Sequence, residues 1–326
     1  MSQALNDMIE TSIDLKQSLG KVAVLMGGWA AERPISLKSG QAVTLALKAQ
    51  GIDATACDVQ CLEDVIKVTE TFDRAFITLH GRWGEDGTVQ ALLDSLKFPY
   101  TGSGMAASAI AMDKLRTKWM WRGAGLPTPN FVLVSPTQPL NLTHFELEFP
   151  VIVKPIHEGS SIGMRKVNGL EALAEAVSYA QQFDSEILIE QWVTGREFTG
   201  AVLLGQALPL IELKTTHDFY DYEAKYFAND TQYLCPASLP DELVKTLPDM
   251  IIKAFEVVGA KDWGRVDFML DQNMNPWLIE INTVPGMTDH SLVPMAAKAA
   301  NISFEALVLK LISATLLPAT TTSAKV

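Results

Sequence analysis

The 326-residue sequence is 48% hydrophobic and 20% charged with a formal net charge of −12, the balance of a globular protein long enough for two or three domains. This acidity argues against a nucleic-acid or anionic-membrane partner. Three cysteines, Cys57, Cys61 and Cys235, without a C-x-x-C pair, argue against a disulfide framework or a zinc site.

Residues 1–20 carry Asp7, Glu10 and Asp14 but no basic stretch and no long apolar run. That is not a secretory signal, and the cytoplasm is the expected compartment. Residues 21–26 read as a buried strand ending in Gly27-Gly28. A loop with Glu32 follows, then helical periodicity over 35–50 closed by Gly51. Residues 52–59 and 73–79 are two more expected strands, the second running into His80-Gly81-Arg82-Trp83-Gly84-Glu85-Asp86-Gly87, and 88–96 is a helix. Such β-loop-α alternation implies a parallel sheet, whose carboxyl-end loops bind ligands. Glu32 and His80 sit at that edge, with plain loop solvation as the alternative for each. Gly102-Ser103-Gly104-Met105-Ala106-Ala107 loosely matches G-x-G-x-x-A. A dinucleotide fingerprint should follow the first strand, so a tight turn at a helix start is expected here instead.

A helix is expected to begin at Met112-Asp113-Lys114 and run to Gly123. The proline-rich stretch 125–139 then marks a seam. Residues 150–155 form a short strand carrying Lys154 and stopped by Pro155. In the turn Glu158-Gly159-Ser160-Ser161-Ile162-Gly163, backbone N–H groups can converge on phosphate oxygens, with Lys154 supplying charge beside them. Helix 170–182 precedes a strand over 186–193 that carries Glu190, Gln191 and Val193 toward Gly195 and Glu197. An edge of backbone groups with a carboxylate can meet an adenine, although an ordinary strand-to-turn is the simpler reading. Residues 201–213 are expected as two strands around Gly205. Residues 215–235 form a long loop that includes Phe219, Tyr220, Tyr222 and Tyr226, and long loops inside compact domains are usually functional. Helices are expected over 239–258 and 304–317, with 287–294 as loop. The apolar segment 306–317 is broken by Lys310 and too short to span a bilayer.

Residues 264–286 hold the sharpest signal. Two alternating apolar runs flank a turn-rich centre, the pattern of a β-hairpin. With Asp271 opposite Pro276 and 272–275 as the loop, Asp267 falls opposite Glu280 and Arg265 opposite Asn282. Period-two geometry puts these four on one face and Val266, Phe268, Ile279 and Ile281 on the other. Like charges directly opposed destabilise a sheet, so Asp267 against Glu280 requires something positive between them. Two carboxylates and an amide carbonyl suit Mg²⁺, which is usually bound together with substrate phosphates. The alternative is the solvated face of an ordinary hairpin.

Taken in order, Gly27-Gly28 with Glu32, the His80 to Gly87 loop, Met112-Asp113-Lys114, Lys154-Pro155 with Glu158 to Ser161, Tyr222-Glu223-Ala224-Lys225-Tyr226, Arg265 with Asp267, Glu280 with Asn282, and Pro285-Gly286 with His290-Ser291-Leu292 form an ordered set. Over residues 21–317 this set resembles the D-alanine:D-alanine ligase family of the ATP-grasp superfamily. The resemblance implies an α/β (α+β) ATP-grasp fold. An N-terminal Rossmann-like parallel-sheet domain would span 1–112, a central ATP-grasp subdomain 113–196, and a C-terminal subdomain 197–326. It also implies ATP with two Mg²⁺ ions (or Mn²⁺), D-alanine as substrate, a cytoplasmic homodimer, and a place in peptidoglycan precursor synthesis. Trp29, His157 and Gln191 depart from the family pattern, and a side-chain contact of Gln191 with adenine is not implied.

By the same resemblance, Lys114, Lys154 and Lys225 hold phosphates, and Ser160, Ser161, Glu190, Gln191, Val193 and Glu197 complete the nucleotide site. Asp267, Glu280 and Asn282 hold the metal. Arg265 and the Gly286 N–H stabilise a tetrahedral oxyanion. Glu32, with His80 nearby, takes the ammonium of the first D-alanine, and Ser291 and Leu292 take the carboxylate of the second. Glu32, Ser160 and Tyr226 form the trio that closes the long loop, and Tyr226 favours an amine as second nucleophile. Ligation to D-lactate or D-serine, or another ATP-grasp acid–amine ligation, is the alternative.

Overall fold

The computed structural model describes residues 12–214 and 231–316. After helix α1 (Ser12–Leu19), strand β1 (Val22–Gly27) is the centre of a parallel sheet with β2 (Ala54–Val59) and β3 (Arg74–Ile77), in the order β2-β1-β3. Val22, Ala23, Val24 and Leu25 are all fully buried, as a parallel strand covered on both faces must be. Helices α2 (Arg33–Ala49) and α3 (Leu62–Thr71) make the crossovers. The sequence reading missed α3, although Leu62, Val65 and Ile66 fall at helical i, i+3, i+4 spacing; only Val65 and Val68 are buried. Helices α4 (Thr88–Ser95) and α5 (Met105–Met112) follow, the latter after a tight turn in which Gly102 takes φ +91. Helix α6 (Lys114–Gly123) starts two residues later than expected, because Asp113 is its cap and accepts the Arg116 N–H at 2.8 Å.

The second sheet is antiparallel, in the order β4-β7-β5-β6. It contains β4 (Phe131–Val134), β5 (Val151–Pro155), β6 (Arg165–Val167) and β7 (Ile187–Gln191), with α7 (Leu170–Ala180) packed on one face. The expected seam at 125–139 thus contains a strand. The third sheet runs β11-β10-β8-β12-β13, with β9 beside β8. Its strands are β8 (Gly195–Leu203), β9 (Gln206–Ala207), β10 (Ile211–Lys214), β11 (Gln232–Leu234), β12 (Trp263–Asp271) and β13 (Pro276–Asn282). Residues 232–234, read as loop, pair with β10. Helix α8 (Asp241–Val257) covers β8 and β12, where the Phe198 and Phe268 rings stack at 5.4 Å.

The β12–β13 hairpin opposes Arg265 to Asn282 and Asp267 to Glu280, as expected. A bulge after Asp267 then shifts the register, so Pro276 faces Leu270 instead of Asp271. The extra residue is Ile279, which leaves the apolar face assigned to it and lines a cleft, while Leu278 turns into the core. The turn is longer than expected because the Asp271 carboxylate accepts the N–H groups of Asn273 and Asn275 at 2.8 and 2.9 Å.

Helices α9 (Leu292–Ala299) and α10 (Phe304–Ala314) return to the first sheet. Residues 292–294, expected as loop, are the first turn of α9; Pro294 is tolerated there because early helical N–H groups lack intrahelical partners. Gln50, just past α2, donates to the Glu305 carbonyl at 2.8 Å. Among the described residues no single helix is long and apolar enough to cross a membrane. The pair α9–α10 is bent by 107°, and its apolar residues, such as Val293, Leu307 and Leu311, are buried in the core.

Gly264 sets the depth of β12. A Cβ there would come within 2.5 Å of the Phe255 ring and 2.7 Å of the Asn282 carbonyl. Gly264→Ala is therefore expected to cost about 1–3 kcal/mol, read as a lower urea midpoint with unchanged slope. A midpoint equal to wild type would show that the strand pair accommodates a methyl group.

Candidate active site

The carboxyl-edge loops of the parallel sheet converge on Glu32. Gly27 and Gly28 take φ +90 and +73, a turn that glycine adopts without strain. The Gly27 N–H donates to Ser36 Oγ at 2.9 Å, and the Ser36 hydroxyl donates to the Thr78 carbonyl at 2.7 Å. Arg33 donates to the Gly28 carbonyl at 3.0 Å and pairs with Asp58 at 2.7 Å. The turn so fixed presents Glu32, buried, against Gly81, where a Cβ would lie 2.5 Å from Oε2. Ser160 Oγ donates to Glu32 Oε1 at 3.1 Å, which joins two members of the expected trio. Tyr226 and Lys225 lie outside the described residues.

His80 is buried beside them, its Nδ1 2.9 Å from the Val284 carbonyl. A carbonyl only accepts, so Nδ1 carries the hydrogen and Nε2 is a buried lone pair with no partner among the described residues. Burial, aided by the charge of Arg265, pushes His80 down to about 4, against the upward pull of the Val284 carbonyl. It is neutral at pH 7. Glu85 accepts the Gly81 N–H at 2.6 Å. Burial first, then the nearby Glu32 and Glu280 carboxylates, push it up to about 8, against the Gly81 hydrogen bond and Arg265. Glu85 carries no role of its own in the sequence reading, since a Gly-Glu-Asp-Gly turn reads as solvated, whereas the fold half-buries it.

A cavity of about 630 Å³ opens between the second and third sheets. Lys114, Lys154, Ser161, Glu190, Gln191, Val193, Glu197 and Glu280 all line it. Ser160 and Ser161 both lie in the left-handed region, at φ +53 and +60, where non-glycine residues are held only against strain. Lys114 Nζ donates to the Glu158 carbonyl at 2.6 Å, across the mouth of that turn. The Gln191 side chain turns away, donating to the Glu148 and Pro150 carbonyls at 2.8 and 3.2 Å.

In the cavity wall, Glu190 Oε2 sits 2.8 Å from Lys118 Nζ, which lies behind it, and 3.0 Å from Lys154 Nζ. The contact pairs one buried carboxylate with two buried ammonium groups. The hydrogen bonds of Lys118 go to Thr128 Oγ1 at 2.7 Å and the Leu278 carbonyl at 3.3 Å. Burial pushes the Glu190 carboxyl up, but the two lysines outweigh it and hold it below its ordinary value. Burial lowers Lys118 to about 8, against the pull of Glu190. Lys118 was missed from sequence, although it lies one helical turn after Lys114 and such a spacing shares a face. Arg196 and Glu212 were missed too. They form a bidentate pair at 2.8 and 2.7 Å on the cavity wall, and strand alternation alone does not single them out.

On the hairpin, Arg265 grips Asp267 with Nε at 3.0 Å from Oδ1 and Nη2 at 2.9 Å from Oδ2. Thr199 adds a hydroxyl at 2.6 Å. Glu280 stands across the strand pair, and Asn282 Oδ1 accepts the Val284 N–H at 3.0 Å. Among the described residues no cluster of three His, Cys, Asp or Glu converges on one point. Two carboxylates and an amide oxygen are a hard-oxygen set, and Mg²⁺ commonly takes one or two carboxylates with phosphate oxygens supplying the rest. The donors fit that ion. A Cβ on Gly286 would lie 2.8 Å from Ser291 Oγ, which itself accepts the Thr288 N–H at 2.9 Å. Leu292 is buried in the core, so it can meet a ligand only through its backbone at the start of α9.

Comparison with known proteins bears on this geometry. The family model described as D-ala D-ala ligase C-terminus matches residues 120–313, and the one described as D-ala D-ala ligase N-terminus matches residues 59–103. A D-alanine--D-alanine ligase of Hydrogenovibrio crunogenus is 67% identical over 93% of this chain and 97% of its own. One of Pseudomonas entomophila is 52% identical over 94% and 96%. The crystal structure of the Bacillus anthracis D-alanine--D-alanine ligase matches with a TM-score of 0.83 at 33% identity, covering 91% of this chain and 97% of that one. A Bacillus anthracis D-alanine--D-alanine ligase structure complexed with ATP matches with a TM-score of 0.82 at 30% identity, covering 91% of this chain and 97% of that one.

Proposed function

The chain belongs to the D-alanine--D-alanine ligase family, and from that premise we infer how its cleft performs the ATP-dependent joining of two D-alanines for cell-wall synthesis. One observation carries the assignment of the site. Glu280, opposed to Asp267, lines the same cavity as Lys114 and Lys154, so the acidic pair and the phosphate-binding lysines serve one ligand.

Little covalent chemistry falls to protein groups in phosphoryl transfer, so positioning and charge neutralisation dominate. The carboxylate of the first D-alanine attacks the γ-phosphorus of ATP, ADP leaves, and an acyl phosphate remains. The amine of the second D-alanine attacks the acyl carbon and loses a proton as inorganic phosphate departs. Lys114, Lys154 and Lys225 hold the phosphates, with Ser160 and Ser161 beside them. The adenine lies against the segment from Glu190 to Val193 and Glu197. Asp267, Glu280 and Asn282 would hold Mg²⁺, which supplies charge neutralisation at the phosphates when bound. Glu32 pairs with the first ammonium, and the neutral His80 offers its Nε2 lone pair beside it. Arg265 and the Gly286 N–H face the developing oxyanion. Ser291 and the first turn of α9, where backbone N–H groups lack intrahelical partners, take the second carboxylate. Closure of Tyr226 onto Ser160 and Glu32 keeps water from the acyl phosphate. The family expectation of a cytoplasmic homodimer belongs to the same proposal.

Phosphate release from ATP and Mg²⁺ tests this reading, with D-alanine, then with D-lactate or D-serine offered as second substrate. Release is expected to depend on D-alanine. Release without any amino acid, or a preference for D-lactate, would overturn it. Tyr226→Phe is expected to raise the D-lactate to D-alanine ratio, and a ratio unchanged across pH would remove that residue from the specificity argument.

A further inference from the structure

His157, a departure from the family pattern, stands where three chain segments meet. Its Nδ1 lies 2.8 Å from Asp184 Oδ2 and its Nε2 3.1 Å from Asp113 Oδ2. Its backbone N–H also donates to Asp184 Oδ2, at 2.9 Å. Ionised carboxylates only accept, so both ring nitrogens carry hydrogen and the ring is an imidazolium. Asp113 is the cap of α6, and Lys114 is the first residue of that helix. Asp184 lies in the turn between α7 and β7, where its other oxygen accepts the Glu186 N–H at 3.2 Å. The residues on either side of His157 both reach Lys114. The Lys114 N–H approaches the Ile156 carbonyl at 3.4 Å, and Lys114 Nζ donates to the Glu158 carbonyl at 2.6 Å.

We propose that His157 is a positioning residue for the nucleotide phosphates: by bridging Asp113 to Asp184, it holds the Ser160-Ser161 turn and Lys114 in one fixed relation. The proposal rests on the reading of Lys114 as a phosphate-binding lysine. Without the cation, the Asp113 and Asp184 carboxylates are left without the charge that joins them, and like charges held close repel. The other charged groups around the bridge do not replace it. Arg116 pairs with Asp113 and lies 3.8 Å from Glu186, while Arg82 is taken by Glu158 at 2.5 Å. The two carboxylates, Asp113 first, hold His157 up at about 9 against its partial burial. A group raised in the folded state contributes fully below its ordinary value of 6.5, and that contribution is lost as pH rises through about 9.

The test compares wild type, His157→Gln and His157→Arg in steady-state ligation at about pH 7 and about pH 9.5, with KM for ATP and kcat separated. His157→Gln is expected to raise KM for ATP about tenfold at neutral pH while kcat stays within about twofold. Wild type should approach the same KM at the higher pH. His157→Arg, which stays charged, should keep a low KM at both. An unchanged KM in His157→Gln, an equal loss in kcat, or an arginine variant that follows the wild-type rise would each overturn the role. If His157→Gln does not fold, the wild-type and arginine pH profiles decide alone. Lys114→Met separates this from the underlying reading, because a normal KM for ATP in that variant would refute Lys114 as a phosphate ligand.

Discussion

Arg265→Ala is expected to lower kcat about a hundred- to thousandfold, the usual cost of one oxyanion donor, while ATP affinity stays nearly unchanged. The split follows from geometry. Whereas Lys114 donates to the Glu158 carbonyl and Lys154 pairs with Glu190, the guanidinium bonds Asp267 on the hairpin face. Its removal frees a carboxylate that is itself a proposed metal donor, so nucleotide binding loses nothing direct. Arg265→Lys should fall between the two, because an ammonium keeps the charge but not the planar fork. Single-turnover kinetics with a separate ATP titration would measure both quantities. Normal turnover in the alanine variant would end the oxyanion role.

The largest expected loss of stability lies at Glu190. The side chains of Lys118, Lys154 and Glu190 are 0%, 3% and 2% exposed. Removing one partner from a buried charge cluster typically costs about 3–5 kcal/mol, because the remaining charges stay buried and uncompensated. Glu190→Leu leaves two ammonium groups in that state. The sign of the pH dependence follows from Lys118, whose folded pKa is pushed down to about 8. A lysine lowered in the folded state binds fewer protons there than when unfolded, so raising the pH favours the fold. Glu190 is what holds Lys118 up, so its loss drops Lys118 below about 8, and urea unfolding should show a deficit that narrows as pH rises toward about 8 and is level above it. A variant as stable as wild type at neutral pH would show that the triad contributes little. A deficit that widens with alkalinity would show that the unpaired lysines are not its source.

The Asp267–Glu280 opposition was legible because two carboxylates at matching strand positions violate a simple electrostatic rule. The bulge at Ile279 was not legible. The hydrophobic pattern reads equally well with either register, and only the demand of Leu278 for the core decides between them. Lys154 and the Gly-Ser turn stood out by residue type and local order and Lys114 only through the family resemblance; the structure puts Lys114, Lys154 and Ser161 on one cavity. Lys118 and Arg196 were not legible, since each acts through a partner distant in sequence, Glu190 and Glu212 respectively. His157 drew notice only as a departure, because Asp113 and Asp184 lie 44 and 27 residues from it. The overall α/β order emerged from strand and helix periods. The proline-bearing first turn of α9 escaped because proline reads as a helix breaker, and α3 was overlooked although Leu62, Val65 and Ile66 have helical spacing, two of them staying exposed.

Helix α10 lies on α2, and Gln50 reaches the carbonyl of Glu305. The parallel sheet is thus completed by almost the last described residues of the chain. During synthesis its early strands must wait, with part of their apolar covering missing, until residues near 314 have left the ribosome. Contacts of such long sequence separation slow folding and prolong exposure of sticky surface. For that interval the early strands expose the kind of apolar surface that chaperones recognise.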